Sequence, residues 1–394
     1  MSIVRATWLN VLLIFIPFGW VSHFVWSPTV TFILNFIAIV PLAKLLGFAT
    51  EDIALRTGEV IGGLLNATFG NSIELIISII SLTQGLVVVV QASMLGSILS
   101  NLLIVLGMSF LAGGLKYKEQ SFNITSAQTS ASLLFLSVAS LLLPASFYGS
   151  TVDAESAEKE RSDILGISRA TAIILLVVYL AYMVFQLRTH RDLQRPMPER
   201  VVSEIDEEEE EEEEHPSMPC WMAFVLLIII TVLVAVCAEF LVSAIESVVE
   251  QWGITETFVG LILLPIVGNA AEHVTAITCA YKNKMDLALG VAVGSSMQVA
   301  LLVTPIMVIV GWGLNIDMSL YFNVYETAVL FVTVILLNYL IMDGKSNWLE
   351  GFMLSALYVL LAITFYYYPD AAAGGLEALG HTAENKTASA VVSS

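Results

Sequence analysis

The sequence predicts an all-α polytopic membrane protein with about 11 transmembrane helices: one extra N-terminal helix, then two inverted five-helix repeats. Three observations predict it: an apolar composition, a series of apolar windows of helical length, and a motif set that recurs at a fixed offset. Of 394 residues, 57% are hydrophobic and 13% charged, against roughly 25% charged in a soluble domain. That is more apolar surface than a soluble core can hide, so lipid serves as the solvent. A hydrocarbon core of about 30 Å asks for about 20 apolar residues per helix. Windows of that size fall at 8–26, 29–49, 60–83, 88–113, 126–147, 166–188, 220–245, 256–280, 286–312, 319–342 and 349–368. Barrel strands would alternate apolar and polar residues over about ten positions, which this chain does not do.

The windows divide the chain into an extra helix (1–27), a first five-helix repeat (28–188), an acidic linker (189–218), a second five-helix repeat (219–368) and a flexible tail (369–394). Lysine and arginine set the orientation. With the N-terminus in the cytosol, that side collects Arg5, Lys44, Arg56, Lys116, Lys118, Arg188, Arg191, Arg195, Arg200, Lys282, Lys284 and Lys345, twelve in all. The opposite side collects four: Lys159, Arg161, Arg169 and Lys386. The expected topology has the N-terminus and linker cytosolic and the C-terminus lumenal. The net charge of −19 owes much to nine acidic residues in one run, Asp206 to Glu214. No stretch resembles a basic nucleic-acid surface. Cys220, Cys237 and Cys279 stand apart without metal-ligand spacing and read as small buried hydrophobes. The first apolar stretch is followed by aromatic residues and not by a small-residue cleavage site, so a cleavable signal is not expected.

Two segments match at a constant offset of 198 residues. Gly70, Asn71 and Glu74 pair with Gly268, Asn269 and Glu272. Gly62 pairs with Gly260, Gly96-Ser97 with Gly294-Ser295, and Gln128-Thr129 with Glu326-Thr327. An odd number of crossings separates the third and eighth spans, so the two halves are expected to run in opposite directions. Inverted repeats are a transporter architecture, with the substrate site near the midplane between them.

Each half carries Gly-Asn-x-x-Glu in mid-span. An ionised carboxylate there costs several kcal/mol unless it has a partner or a task. Glycine loosens the helical ladder, Pro265 weakens the second copy further, and a local break would free carbonyl oxygens to line a cavity. The following span of each half adds Gly-Ser, with Ser100-Asn101 in one and Ser296 and Gln298 in the other; Ser100 and Gln298 are equivalent at the same offset. Glu74, Glu272, Asn71, Asn269, the carbonyls at Gly70 and Gly268, Ser100 and Gln298 make a hard-oxygen shell. Ca²⁺ takes six to eight such ligands in tolerant geometry, and no Cys or Met cluster suits a soft metal. The bland alternative is a polar clasp between helices, which the duplication on both halves disfavours.

At these residues the chain strongly resembles the cation/proton exchanger family of the calcium/cation antiporter superfamily, its fungal vacuolar branch above all. The phrases are GGLLNATFGNSIELIISI at 62–79, QASMLGSILSNLL at 91–103, GLILLPIVGNAAEHVTA at 260–276, KMDLALGVAVGSSMQVAL at 284–301 and SNWLEG at 346–351. The likeness runs over roughly residues 10–370. It implies a fold of one helix plus five plus five with an acidic helix in the linker. It also implies that Glu74 and Glu272 bind Ca²⁺, helped by backbone oxygens of the breaks and by Ser100 and Gln298. The nearly pure glutamate linker departs from any finer regulatory pattern.

Two carboxylates in a poor dielectric either share a divalent cation or take up protons, because bare negatives at close range repel. Ca²⁺ and H⁺ then compete for Glu74 and Glu272, with His273, the next residue and about 100° around the helix, as a proton carrier or a hydrogen-bonder to a carboxylate. The reading is a secondary active transporter and not an enzyme: cytosolic Ca²⁺ exchanged for lumenal H⁺ by alternating access across a vacuolar membrane. No cofactor is expected beyond the transported cation; Ca²⁺ against Mn²⁺ and any homo-oligomer are left open. Rival readings are a Na⁺/Ca²⁺-type exchanger, an intramembrane enzyme and a passive channel. The enzyme lacks a His-Glu-x-x-His motif or a Ser/His or paired-Asp arrangement, and the channel lacks a repeated pore loop.

Overall fold

Apolar windows bounded by Gly, Asn and Pro become helices throughout the computed structural model, which describes residues 8–151, 157–190 and 218–369. A 3₁₀ stretch, Trp8–Ile14, leads into α1 (Phe15–Val25). Then follow α2 (Pro28–Phe69), α3 (Ser72–Thr83), α4 (Val87–Lys116), α5 (Ile124–Thr151) and α6 (Ala157–Val184). The second half contains α7 (Cys220–Ser243), α8 (Ile245–Trp252), α9 (Glu256–Gly268), α10 (Ala270–Tyr281), α11 (Met285–Leu314), α12 (Val324–Leu340) and α13 (Trp348–Tyr366). Two-residue strands β1 (Gln120–Ser121) and β2 (Lys345–Ser346) pair antiparallel between connecting loops. Among the described residues, seven helices are long and apolar enough to cross a membrane, or eight if the bent pair α8–α9 is one span. Asn10–Val25, α3 and α12 are shorter apolar helices.

The expected loop at 50–59 is instead helical. α2 is helical over 42 residues but is not one straight rod: a Cβ added at Gly62 would lie 2.6 Å from Ala54 O, whereas a straight helix separates residues eight apart by about 12 Å, so the chain turns back within 54–62. The predicted third span, 60–83, is therefore divided: its first part continues α2, and the chain breaks at Gly70-Asn71 before α3. The equivalent stretch of the second half is broken earlier as well, at Ala244 and at Gly253, where φ is +62°, so that α8 and α9 meet at 116°.

Element boundaries repeat at the same offset of 198 as the motifs. α3 and α10 match end for end, as do α4 and α11. Each long helix widens into a π turn at matching places, Asn101–Val105 and Val299–Val303. The turns after α3 and α10 also match. Gly85 and Asn283 both take positive φ, +83° and +61°. Leu86 N–H donates to Ser81 O at 3.0 Å and Lys284 N–H to Cys279 O at 2.9 Å, the six-to-one bond that closes a helix on a left-handed residue. α12 and α13 begin with capping boxes, Asn323 with Glu326 and Asn347 with Glu350, so Glu326 serves its own helix start.

Two apolar cores form. One unites α4, α5, α6, α11, α12 and α13 around Leu102, Phe110, Leu134, Leu175, Leu301 and Leu354. The other unites α2, α7, α8 and α9 around Ile39, Leu42, Val234, Leu241, Ile245 and Val267. The broken-helix segments lie on the seam: α3 gives Ile73 and Ile77 to the second core and Leu82 to the first, and α10 gives Ala276 and Ala280 to the first.

Candidate functional site

The breaks at Asn71 and Asn269 are local chemistry. Asn71 has φ −105° and ψ 26°, and Asn269 has φ −87° and ψ 11°, values outside the helical well that end one helix and start the next. Ser72 Oγ donates to Phe69 O at 2.7 Å, taking up a carbonyl at the first break. In the second, His273 Nδ1 donates to Asn269 O at 2.8 Å; a carbonyl only accepts, so Nδ1 carries the hydrogen. Each break puts a new helix N-terminus inside the bundle, with Glu74 and Glu272 in the first turns of α3 and α10. The partial positive charge of a helix N-terminus favours an anion or carboxylate there.

The asparagines cross between the halves reciprocally. Ser295 Oγ donates to Asn71 Oδ1 at 3.0 Å, and Ser97 Oγ donates to Asn269 Oδ1 at 3.0 Å. Since 97 and 295, like 71 and 269, differ by the repeat offset, each Asn takes the serine of the opposite half. Such self-complementary pairing is what a two-fold relation produces. Asn71 Nδ2 also reaches Gln298 Oε1 at 2.5 Å, and Asn101 Nδ2 donates to Ser295 Oγ at 3.0 Å. On the other side Ser100, equivalent to Gln298, is fully buried, with its hydroxyl beside that of Tyr358.

The carboxylates lie at the centre of this lattice. A Cβ added at Gly268 would sit 3.0 Å from Glu74 Oε1, so Glu74 of one half lies over the break of the other, and only a glycine leaves it that room. Both Glu74 oxygens are buried without a hydrogen-bond partner, as is Glu272 Oε2, and the two carboxylates act on each other's charge. Asn101 Oδ1, Ser78 Oγ and Ser81 Oγ are buried and unpartnered too. Unpaired buried oxygens cost a folded protein about 1–3 kcal/mol each, so a concentration of acceptors fits a cation better than a clasp. Among the described residues no three His, Cys, Asp or Glu side chains gather to hold a metal; the oxygens are two carboxylates plus neutral groups.

Of the sequence-derived site, Glu74, Glu272, Asn71, Asn269, Gly268 and Gln298 converge here. Gly70 is exposed at its break, and Ser100 is buried at the inner end of α4's first segment. Ser97 and Ser295 turn out to be the partners that fix the asparagines, foreshadowed only by Gly-Ser recurring at the repeat offset. Lys44, counted by sequence as a cytosolic-end charge, lies inside α2 with Nζ 3.3 Å from Thr275 Oγ1; nothing linear connects positions 231 residues apart. Glu51 is exposed, and Glu239 Oε1 accepts from Gln84 Nε2 at 3.1 Å. The acidic run at 206–214 and most of the tail lie outside the described residues.

Comparison with known proteins gives a consistent picture. The family model described as sodium/calcium exchanger protein matches residues 27–188 and 222–367. A vacuolar calcium ion transporter of Schizosaccharomyces pombe (strain 972) is 47% identical over 370 residues, covering 94% of this chain and 87% of the relative. A Ca²⁺/H⁺ antiporter of Aphanothece halophytica is 42% identical over 368 residues, covering 91% of this chain and 96% of the relative. Among solved structures, the selenium-substituted Ca²⁺/H⁺ antiporter protein YfkE superposes with a TM-score of 0.74 at 36% identity, over 91% of this chain and 100% of that one.

Proposed function

This chain belongs to the sodium/calcium exchanger protein family, and we propose that it exchanges cytosolic Ca²⁺ for lumenal H⁺ across a vacuolar membrane by alternating access. It is a transporter and not an enzyme, as its relatives' names describe them. The observation that carries the reading is the pair Glu74, buried, and Glu272, half-buried, with three of their four carboxylate oxygens enclosed without a hydrogen-bond partner, in the first turns of α3 and α10. Ca²⁺ neutralises both carboxylates and takes further oxygens from Gln298, Ser100 and the carbonyls freed at Gly70 and Gly268. Asn71 and Asn269, whose amide oxygens already accept from serines, hold the two breaks together and have a lone pair each to spare for the ion. Without Ca²⁺ the two negatives repel, and protons replace the cation. Occupancy by one excludes the other, which is the coupling. His273, with Nδ1 committed to Asn269 O, has Nε2 left to pass a proton beside Glu272.

The repeated boundaries and the reciprocal Asn–Ser pairs support an internal two-fold, hence two inverted five-helix repeats behind an extra helix. Loop contacts support the eleven-span count. Loops expected on the cytosolic side meet one another: Gln120 Nε2 donates to Ala280 O at 2.8 Å, Lys345 Nζ lies 2.9 Å from Glu119, and Arg56 reaches Met218 O. Those expected in the lumen meet likewise: Thr29 with Gln251 at 2.6 Å, Arg161 with Asp317, and Arg169 over Trp312 at 4.9 Å. The two cores on either side of the site supply bodies that can rock against each other.

The test is ⁴⁵Ca²⁺ uptake by proteoliposomes holding an imposed pH gradient, with and without protonophore. Uptake that follows the gradient and collapses with protonophore is expected. Uptake that needs a sodium gradient and stops when choline replaces sodium would assign Na⁺/Ca²⁺ exchange instead.

A further inference from the structure

Lys44 is a cation inside a membrane helix, and the exchange cycle as described gives it no task. It is half-buried on α2, and the one hydrogen-bond acceptor it reaches among the described residues is Thr275 Oγ1, at 3.3 Å. Thr275 stands three residues after Glu272 on α10, on the same face of that helix. The Glu272 carboxylate lies in the field of the Lys44 charge. An ammonium has three donors and is strongly hydrated, and ionisable groups at membrane depth persist by pairing with one another. One neutral hydroxyl is a meagre substitute for water.

Building on the paired-carboxylate reading, we propose that Lys44 is a positioning residue: a built-in counter-cation for Glu272 that weakens Ca²⁺ binding and so promotes its release. Charge bookkeeping gives the direction. Ca²⁺ with Glu74 and Glu272 is already neutral, so Lys44 leaves the loaded site with one excess positive charge. In the ionised empty site the same lysine offsets one of two negatives. It therefore favours the empty site over the loaded one. Thr275 holds the ammonium on the α10 side, where the opposition is felt at Glu272 more than at Glu74, and the two halves become electrically unequal despite their matched motifs. The position equivalent to Lys44 at the repeat offset is Val242, which carries no charge.

The full-length protein in lipid nanodiscs, with ⁴⁵Ca²⁺ binding measured at a pH where the site is ionised, tests the proposal. Lys44→Met should tighten the Ca²⁺ Kd about tenfold, which is about 1.4 kcal/mol, and slow turnover at saturating Ca²⁺ in proteoliposomes. Lys44→Arg, which keeps the charge, should retain wild-type affinity. Thr275→Val, which frees the ammonium without removing it, should fall between. Affinity unchanged or weakened in Lys44→Met, or equally altered in Lys44→Arg, would overturn the role; size-exclusion profiles accompany each variant, and Lys44→Gln carries the same expectation if the Met variant does not fold. A wild type that binds no Ca²⁺, or a Glu272→Gln variant that exchanges normally, would instead sink the carboxylate reading on which this one stands.

Discussion

Glu74 is buried and Glu272 half-buried, with both Glu74 oxygens and Glu272 Oε2 enclosed without a hydrogen-bond partner, and the charge they carry is the property to remove. Glu74→Gln and Glu272→Gln keep volume and polarity but halve the negative charge facing a divalent cation. Each should insert and fold normally and lose proton-driven Ca²⁺ uptake, with Ca²⁺ affinity falling by more than the roughly 1 kcal/mol of an ordinary hydrogen bond. Because both act on one ion, the double variant should be hardly worse than either single one. Near-normal uptake in either single variant would return both residues to packing. His273 divides into two roles by its two nitrogens. His273→Ala removes the Nδ1 bond to Asn269 O and the free Nε2 together, and the pH optimum of exchange should move more than the Ca²⁺ affinity. If only affinity suffers, the ring is a cap for the broken helix and no more.

At the scale of the elements, the matched segments differ in what they touch. A Cβ at Gly96 on α4 would overlap the Leu261 carbonyl of α9, a carbonyl to which Pro265 offers no N–H one turn on. From the other side, a Cβ added at Gly260 would lie 2.7 Å from Ala92 Cβ and 2.8 Å from Val89 O. α9 is thus seated on α4 backbone to backbone. At the equivalent Gly294 on α11 an added Cβ would meet nothing within 4 Å: the first half's counterpart, the last turns of α2, is not seated on α11. If access alternates by exchanging these arrangements, Gly294 has to accept in the opposite state the contact Gly96 makes here. Gly96→Ala should destabilise the folded protein by about 1–3 kcal/mol, the usual cost of overpacking, read as a lower thermal midpoint in detergent. Gly294→Ala should leave that midpoint within about 0.5 kcal/mol of wild type while slowing exchange severalfold. Full transport in Gly294→Ala would mean that the two arrangements do not interchange.

For the whole molecule, the loop contacts named above sort into two groups, as the proposed alternating spans require, and with Lys44 set aside as an intramembrane charge an eleven-to-four excess of Lys and Arg predicts which group faces the cytosol. In sealed vacuolar vesicles, protease should cut the linker near Glu210 from outside and spare the tail near His381; cutting of both from one face would refute the topology. Much of this was legible in linear sequence, because lipid imposes a length on every span and because duplication writes the same motif twice. Gly-Asn-x-x-Glu at offset 198 marked the breaks and the carboxylates, and the ends of α3 and α10, and of α4 and α11, follow that offset to the residue. What linear reading could not supply depends on which elements lie against which. The course of α2 through 54–62 is a case, since helical residues there turn back until Gly62 meets the Ala54 carbonyl. So is the exchange of serine partners between the halves, since Ser97 alone resembles any small packing residue. The unequal seating of Gly96 and Gly294 is invisible in identical residues because it belongs to the conformation adopted. The sequence by itself determined the helical membrane class and the places of the two Gly-Asn breaks with their carboxylates, through composition, length and repetition. Only the tertiary structure decided which groups lie against one another, Lys44 and Thr275 among them, and which of two equivalent glycines is seated on a neighbouring backbone, because those are set by distances between residues far apart in the chain.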